Sequence, residues 1–232
     1  MSAHDGTRSV RAAGRLPVAV LYLDSAGLDD ARRAARLAYV QGITTNPKLM
    51  AESGRRPLEQ LEALLEAFPG GPVFFQPGSV ERAETELVEA LRLGDGRVVA
   101  KLPAQAQMFS LGTELARAGV TVAYTAVYSP AQALVAASSG AAWVICYVDR
   151  AARLRPDSPV VASVAGVLRA AGSSVGVLAA SIKSPEQAVE SVMQGADAIT
   201  AGLAVLEALA HDPLTDSAVD EFARAAASPG QD

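Results

Sequence analysis

Arg97-Val98-Val99-Ala100-Lys101-Leu102-Pro103 is a short apolar run with one lysine set into it. A near-continuous apolar run of this length reads as a buried strand, of the kind found in parallel sheets covered on both faces. The chain holds only three lysines, Lys48, Lys101 and Lys183, against seventeen arginines. A lysine inside this run therefore calls for a reason. Arginine keeps its proton in a protein, whereas an amine moved out of water can lose it. One reading is a neutral amine that attacks a carbonyl to form a Schiff base. The other is a lysine whose stem packs while its ammonium reaches solvent. The stretch alone leaves both open.

Outward from this strand, β-like runs alternate with helical patterns about eight times. The strands are expected at 18–23 (closed by Asp24), 42–47 (a very short strand running into a turn), 72–76, 98–101, 120–125, 143–148, 175–180 and 196–200. Between them, apolar residues recur at helical spacing: Leu28, Ala31, Ala35 and Ala38; Leu58, Leu61, Leu65 and Phe68; Val80, Ala83, Leu87 and Leu91; Met108, Leu111 and Leu115. Ser79 is placed to cap the third of these helices. Ser129-Pro130, Ser158-Pro159 and Ser184-Pro185 each pair a capping residue with proline at the first helical position. Gly140, Gly172 and Gly195 stand where those helices should end. Two helical patterns, 203–210 and 216–225, close the chain.

Apolar strands alternating with amphipathic helices mean an α/β fold with a parallel sheet. Eight units in just over two hundred residues point to a single-domain (β/α)8 TIM barrel with an extra C-terminal helix. A doubly wound open sheet is the competitor, but no Gly-rich phosphate loop follows the first strand. Residues 1–16, with Arg8, Arg11 and Arg15 and little apolar pattern, read as a flexible N-terminal arm before a barrel over 17–232.

Composition narrows the function. The formal net charge is −5 and there is no basic patch with interleaved aromatics, which argues against a nucleic-acid partner. One cysteine and two histidines offer neither a disulfide framework nor a metal-ligand cluster. No apolar run approaches a membrane span and no secretory h-region is present, so a cytoplasmic enzyme with no membrane partner is the expectation.

In a barrel of this kind the active site lies at the C-terminal mouth, on strand ends and the loops that follow. Read in order, those ends supply Asp24, Thr44 with Asn46, Gln76, Lys101, Thr125, Tyr147 and Ser181. An amine, a carboxylate, amides, hydroxyls and a phenol converging on one space are the set that carbonyl chemistry requires. Arg150 follows the sixth strand, and Lys183 precedes the Ser184-Pro185 helix start, where backbone N–H groups favour an anion.

These residues also carry a resemblance. Leu21-Tyr22-Leu23-Asp24, Gly42-Ile43-Thr44-Thr45-Asn46-Pro47, Val98-Val99-Ala100-Lys101-Leu102-Pro103, Thr125-Ala126-Val127-Tyr128 and Ala179-Ala180-Ser181-Ile182-Lys183 resemble the small transaldolase and fructose-6-phosphate aldolase family, from about Leu21 to Phe222. His211-Asp212-Pro213-Leu214-Thr215-Asp216 is similar to the family's C-terminal segment. The resemblance implies a class I enzyme, metal-independent and without organic cofactor, acting on sugar phosphates. It implies that Lys101 is the Schiff-base lysine and that Asp24 works on protons and substrate hydroxyls. Thr44 and Asn46 would hold the hydroxyls of a three-carbon donor, and Arg150, Ser181 and Lys183 the sugar phosphate. Transaldolases usually carry glutamate at the position of Gln76 and phenylalanine at that of Tyr147. Gln76, Thr125 and Tyr147 together look like the water-holding trio of fructose-6-phosphate aldolases. A homo-oligomer with exchanged C-terminal helices is implied as well.

Three features depart from the family pattern. Asp149 adds a carboxylate beside Arg150, the expected loop over 151–157 carries Arg153 and Arg155, and Thr200-Ala201-Gly202 lacks the usual proline-containing turn. The reaction expected is cleavage of a ketose phosphate, with transfer of the dihydroxyacetone unit to an aldose acceptor. The alternatives are release of free dihydroxyacetone, a different Schiff-base lyase such as a deoxyribose-phosphate aldolase, and a non-catalytic sugar-phosphate-binding barrel.

Overall fold

Eight parallel strands close into one barrel in sequence order, the eighth pairing back onto the first, in a computed structural model that describes residues 19–227. The arm expected over 1–16 lies outside the described residues. The strands are β1 (Val20–Asp24), β2 (Val40–Thr44), β3 (Val73–Phe75), β4 (Val98–Pro103), β5 (Val122–Val127), β6 (Trp143–Tyr147), β7 (Gly176–Ile182) and β8 (Ala198–Ala201). The described helices are α1 (Leu28–Ala34), α2 (Pro47–Glu52), α3 (Pro57–Ala67), α4 (Ala83–Gly94), α5 (Ala106–Arg117), α6 (Pro130–Ser138), α7 (Val148–Leu154), α8 (Val160–Ala170), α9 (Pro185–Met193), α10 (Leu203–Ala208) and α11 (Pro213–Ala227). The (β/α)8 barrel expected from the alternation is the architecture of the chain.

Strand side chains alternate between faces, so each strand feeds two cores. Leu23, Ile43, Phe75, Ala100, Leu102, Tyr124, Cys146 and Ala179 belong to the large core shared with the helices. Tyr22, Phe74, Val99, Ala123, Ile145, Leu178, Ala180 and Ala198 form a second, smaller cluster inside the barrel. Tyr22 meets Phe74 edge-on at 5.2 Å between ring centroids, and Trp143 at 6.3 Å. Trp143 fits because Gly176 stands opposite: a Cβ there would come within 2.6 Å of the indole. The interior is thus a packed plug that closes the floor of the mouth above it.

Several local expectations need correction. α1 ends at Ala34, so its buried face is Ala31 and Ala34, while Ala35 and Ala38 are exposed. Ser79 does not cap α4, which starts at Ala83; its hydroxyl accepts from the Arg82 N–H in the preceding turn, at 3.4 Å. Ser158 is not a cap either, because α8 begins at Val160 with Pro159 in the cap position. Ser129 and Ser184 do cap, each accepting from the N–H three residues on. Gly140, Gly172 and Gly195 follow α6, α8 and α9 with φ of +78°, +63° and +106°, the left-handed turn that ends a helix. The segment expected as a loop over 151–157 is in large part helix, since α7 runs on directly from β6.

Candidate active site

The alternation that builds the interior also sets the layer above it. Two residues beyond Tyr22, Phe74, Val99, Ala123, Ile145 and Ala198 stand Asp24, Gln76, Lys101, Thr125, Tyr147 and Thr200. A two-residue step keeps the same face, so these side chains form the next inward tier. Thr44 holds the corresponding place at the end of β2, in register with Asp24.

Lys101 belongs to this tier and is 3% exposed. Its Nζ donates to the main-chain carbonyl of Thr45 at 2.6 Å. Burial pulls its pKa down from 10.5 to about 8, and the Asp24 carboxylate pulls the other way. The neutral form is thus far more accessible near neutral pH than it is for a free lysine. The snorkelling alternative is excluded, because the amine is buried with its stem.

Around Asp24, hydroxyls line up on the carboxylate. Thr44 Oγ1 donates to Asp24 Oδ1 at 3.0 Å, and Thr200 Oγ1 lies 2.6 Å from Thr44 Oγ1. Both threonines are 1% exposed. Reading the strand ends alone does not single out Thr200. The signal for it is the two-residue step from interior Ala198.

Between β5 and β6, the Thr125 hydroxyl donates to the Tyr147 hydroxyl at 3.2 Å. Burial raises the Tyr147 pKa, and the Thr125 hydrogen bond opposes it. Gln76 Oε1 is buried with no hydrogen-bond partner among the described residues. A buried amide oxygen left without a donor is costly, and a water seated there would satisfy it. Tyr128 packs edge-on against Tyr147, 6.1 Å between centroids, and extends this wall.

Asn46 is tied to the backbone. Its Oδ1 accepts from the N–H groups of Lys48 and Leu49, capping α2, while Pro47 takes the first helical position. The Thr-Thr-Asn-Pro segment is therefore a helix start as well as a turn, and α2 is an element the sequence reading leaves out.

The outer residues are arranged differently. Arg150 is exposed, with its guanidinium 5.4 Å from the centroid of the Tyr147 ring. Asp149 does not neutralise it: that carboxylate is bound by Arg153, one helical turn on, at 3.0 Å. Arg155 reaches back to the Tyr128 carbonyl at 3.3 Å.

Ser181 has φ +60°, and the β7–β8 register slips between Ala179 and Ile182. Strict alternation from Leu178 and Ala180 would send Ile182 inward and Ser181 outward. The kink breaks this alternation: Ile182 joins the outer core, and Ser181 before it is half-buried. Ala126, with φ +56°, makes a matching kink in β5 just beyond Thr125. Such bulges re-aim side chains at barrel rims. Lys183 is exposed just beyond Ser181. The start of α9 is largely occupied, since Gln187 Oε1 accepts from Lys183 N–H and Ser184 Oγ accepts from Gln187 N–H. An anion here would be held mainly by side chains.

Among the described residues, no group of three His, Cys, Asp or Glu side chains is placed to hold a metal ion, and no helix is long and apolar enough to cross a membrane. The mouth offers a buried, partly neutral amine, a carboxylate and a set of positioned hydroxyls. That combination can add to a carbonyl and move protons around the adduct.

Residues 21–229 match the Transaldolase/Fructose-6-phosphate aldolase family. A probable transaldolase of Desulfotalea psychrophila is 32% identical over 204 residues, covering 87% of this chain and 94% of that protein. A probable transaldolase of Symbiobacterium thermophilum is 33% identical over 205 residues, with coverage of 87% and 94%. One of Anaeromyxobacter dehalogenans is 32% identical over 208 residues, with coverage of 87% and 93%. Matched over nearly the whole barrel, the chain belongs to the transaldolase/fructose-6-phosphate aldolase family.

Proposed function

We propose that this protein cleaves a ketose phosphate through a Schiff base on Lys101 and passes the dihydroxyacetone unit to an aldose acceptor. The observation that carries the reading is the buried amine of Lys101, drawn down to about 8 by desolvation. In its neutral form the amine attacks the C2 carbonyl, and loss of water leaves a protonated imine. Asp24 takes the proton of the C4 hydroxyl. The C4–O electrons become a carbonyl, the C3–C4 bond breaks, and its electrons flow into the imine to give an enamine. An aldose phosphate leaves, and the three-carbon enamine stays on Lys101 until an aldehyde accepts it.

In this reading Thr44 and Asn46 face the donor's hydroxyls, and Arg150, Ser181 and Lys183 take the phosphate. The Thr125–Tyr147 pair and the Gln76 oxygen, which has no partner among the described residues, favour a second outcome at the same site. There a held water protonates the enamine and hydrolyses the imine to free dihydroxyacetone. The two outcomes share every step up to the enamine.

The assembly in this reading is a homo-oligomer. No residue of α11 is buried, and Leu214, Val219 and Phe222 stand 80%, 56% and 71% exposed on it. An isolated helix of this length is marginal in water, so its apolar stripe calls for a partner surface.

Incubation with fructose 6-phosphate and borohydride, followed by intact mass and peptide mapping, tests the function. The expected result is a reduced three-carbon adduct on Lys101. An unmodified chain with this and other ketose phosphates would sink the proposal in favour of a binding protein. An adduct on Lys48 or Lys183 would keep the reaction class and move the site.

A further inference from the structure

We propose that Thr200 is a positioning residue for this reaction: through Thr44 it fixes which oxygen of Asp24 is offered to the substrate. This rests on the roles proposed above for Lys101 and Asp24. Thr44 has one hydroxyl hydrogen and two close oxygen neighbours, Asp24 Oδ1 at 3.0 Å and Thr200 Oγ1 at 2.6 Å. An ionised carboxylate can only accept. If Thr44 gave its hydrogen to Thr200, its lone pairs would face those of Asp24 Oδ1 across 3.0 Å, with both threonines only 1% exposed. One arrangement satisfies all three oxygens: Thr200 donates to Thr44, and Thr44 donates to Asp24 Oδ1.

The chain of hydroxyls runs through three strands. β8 pairs with β1 and β1 with β2, so Thr200 and Thr44 flank the strand that ends in Asp24. Their hydroxyls meet on its inner side. Donation along such a chain is cooperative, since a hydroxyl that accepts becomes a better donor.

The chemistry is affected in two ways. Oδ1 is held by Thr44, while Oδ2 has no hydrogen-bond partner among the described residues, so Oδ2 is the oxygen left to take the C4 hydroxyl proton. Thr44, its hydrogen committed, meets a substrate hydroxyl as an acceptor rather than a donor. Remove the Thr200 hydroxyl and Thr44 becomes free to turn its hydrogen toward the substrate, which leaves Asp24 Oδ1 bare. The carboxylate can then rotate, and proton abstraction loses its aim. Imine formation at Lys101 does not use this chain of hydroxyls and should proceed.

The test compares the wild-type protein with Thr200→Val, which keeps the shape and loses the hydroxyl, and Thr200→Ser, which keeps the hydroxyl. Steady-state cleavage of fructose 6-phosphate is measured beside borohydride trapping at Lys101 and thermal melting. The expected result for Thr200→Val is a fall in kcat of about tenfold, with KM within about twofold and the Lys101 adduct still formed. Thr200→Ser should keep kcat within about twofold of wild type. Unchanged kcat in Thr200→Val would overturn the inference, as would a Thr200→Ser variant equally impaired, since the methyl group would then be what matters. If Thr200→Val fails to fold, Thr200→Ala takes its place: a kcat about tenfold below that of Thr200→Ser upholds the hydroxyl's role, and equal kcat in the two refutes it. Absence of any Lys101 adduct in the wild type would instead bring down the Schiff-base reading, and this inference with it.

Discussion

The mouth of the barrel has an inner tier and an outer rim, and they are built on opposite terms. In the inner tier, Lys101, Thr44, Thr125 and Thr200 are buried on strands, each with a hydrogen-bond partner already in place. On the rim, Arg150 and Lys183 are exposed on a helix and a loop, and neither side chain is in an ion pair among the described residues. The inner groups lose their freedom during folding, so little ordering remains to be done when a substrate arrives. In the proposed reaction the rim groups are ordered only as the phosphate binds, against water and salt. In the proposed reaction, bond-making falls to the sheet register and phosphate affinity to the exposed periphery.

The largest effect that can break this contrast is at its centre. Lys101→Met should lower turnover roughly a thousandfold or more and abolish the borohydride adduct. It should also stabilise the fold at neutral pH. Between about 8 and 10.5 the unfolded chain keeps a proton that the folded chain has released, so the wild type gains stability as pH rises through that window. Below it, the folded state carries the full cost of the buried charge. Melting scans should therefore place Lys101→Met above wild type at about pH 7, with the gap closing as pH rises through that window. A variant no more stable at neutral pH would mean that the amine is not held out of water.

A smaller effect sharpens the contrast within the inner tier. Tyr147→Phe removes one hydroxyl of the Thr125–Tyr147 pair, and release of free dihydroxyacetone should fall about tenfold while transfer to an added aldehyde falls less. Product ratios with and without acceptor measure this; equal losses in both would deny the pair its role in handling water.

The smallest effect is on the rim. Arg150→Ala or Lys183→Ala should raise KM for a phosphorylated ketose about fivefold each, leaving kcat and the melting temperature close to wild type. The penalty should shrink as ionic strength rises. A fall in kcat instead would show the rim acting on the reacting atoms.

Much of this is legible in the chain because strands of period two end on polar residues at the mouth. Asp24, Thr44, Gln76, Lys101, Thr125 and Tyr147 can be read that way without knowing a single contact. Thr200 is harder to see, because the missing proline after β8 is the more obvious feature there than the step from Ala198. α7 is hidden because Asp149, Arg150, Arg153 and Arg155 look like loop composition, although Asp149 and Arg153 stand one helical turn apart and pair there. α2 is hidden in a turn motif that is also a cap, with Asn46 before Pro47. Ser181 is legible as a polar strand end, but its left-handed backbone is not. A kink of that kind is imposed by the packing around it and has no glycine to announce it.

Cys146 lies on β6 next to Tyr147, but it faces the outer core, fully buried, with its thiol pushed up to about 12. It is the one cysteine in the chain. A thiol so placed is inert to alkylating reagents while the fold holds. The natural sequence is thus a ready background for labelling: a cysteine introduced at Ser217 on α11 would be the sole reactive handle, and a probe attached there would report whether that helix meets another surface in solution.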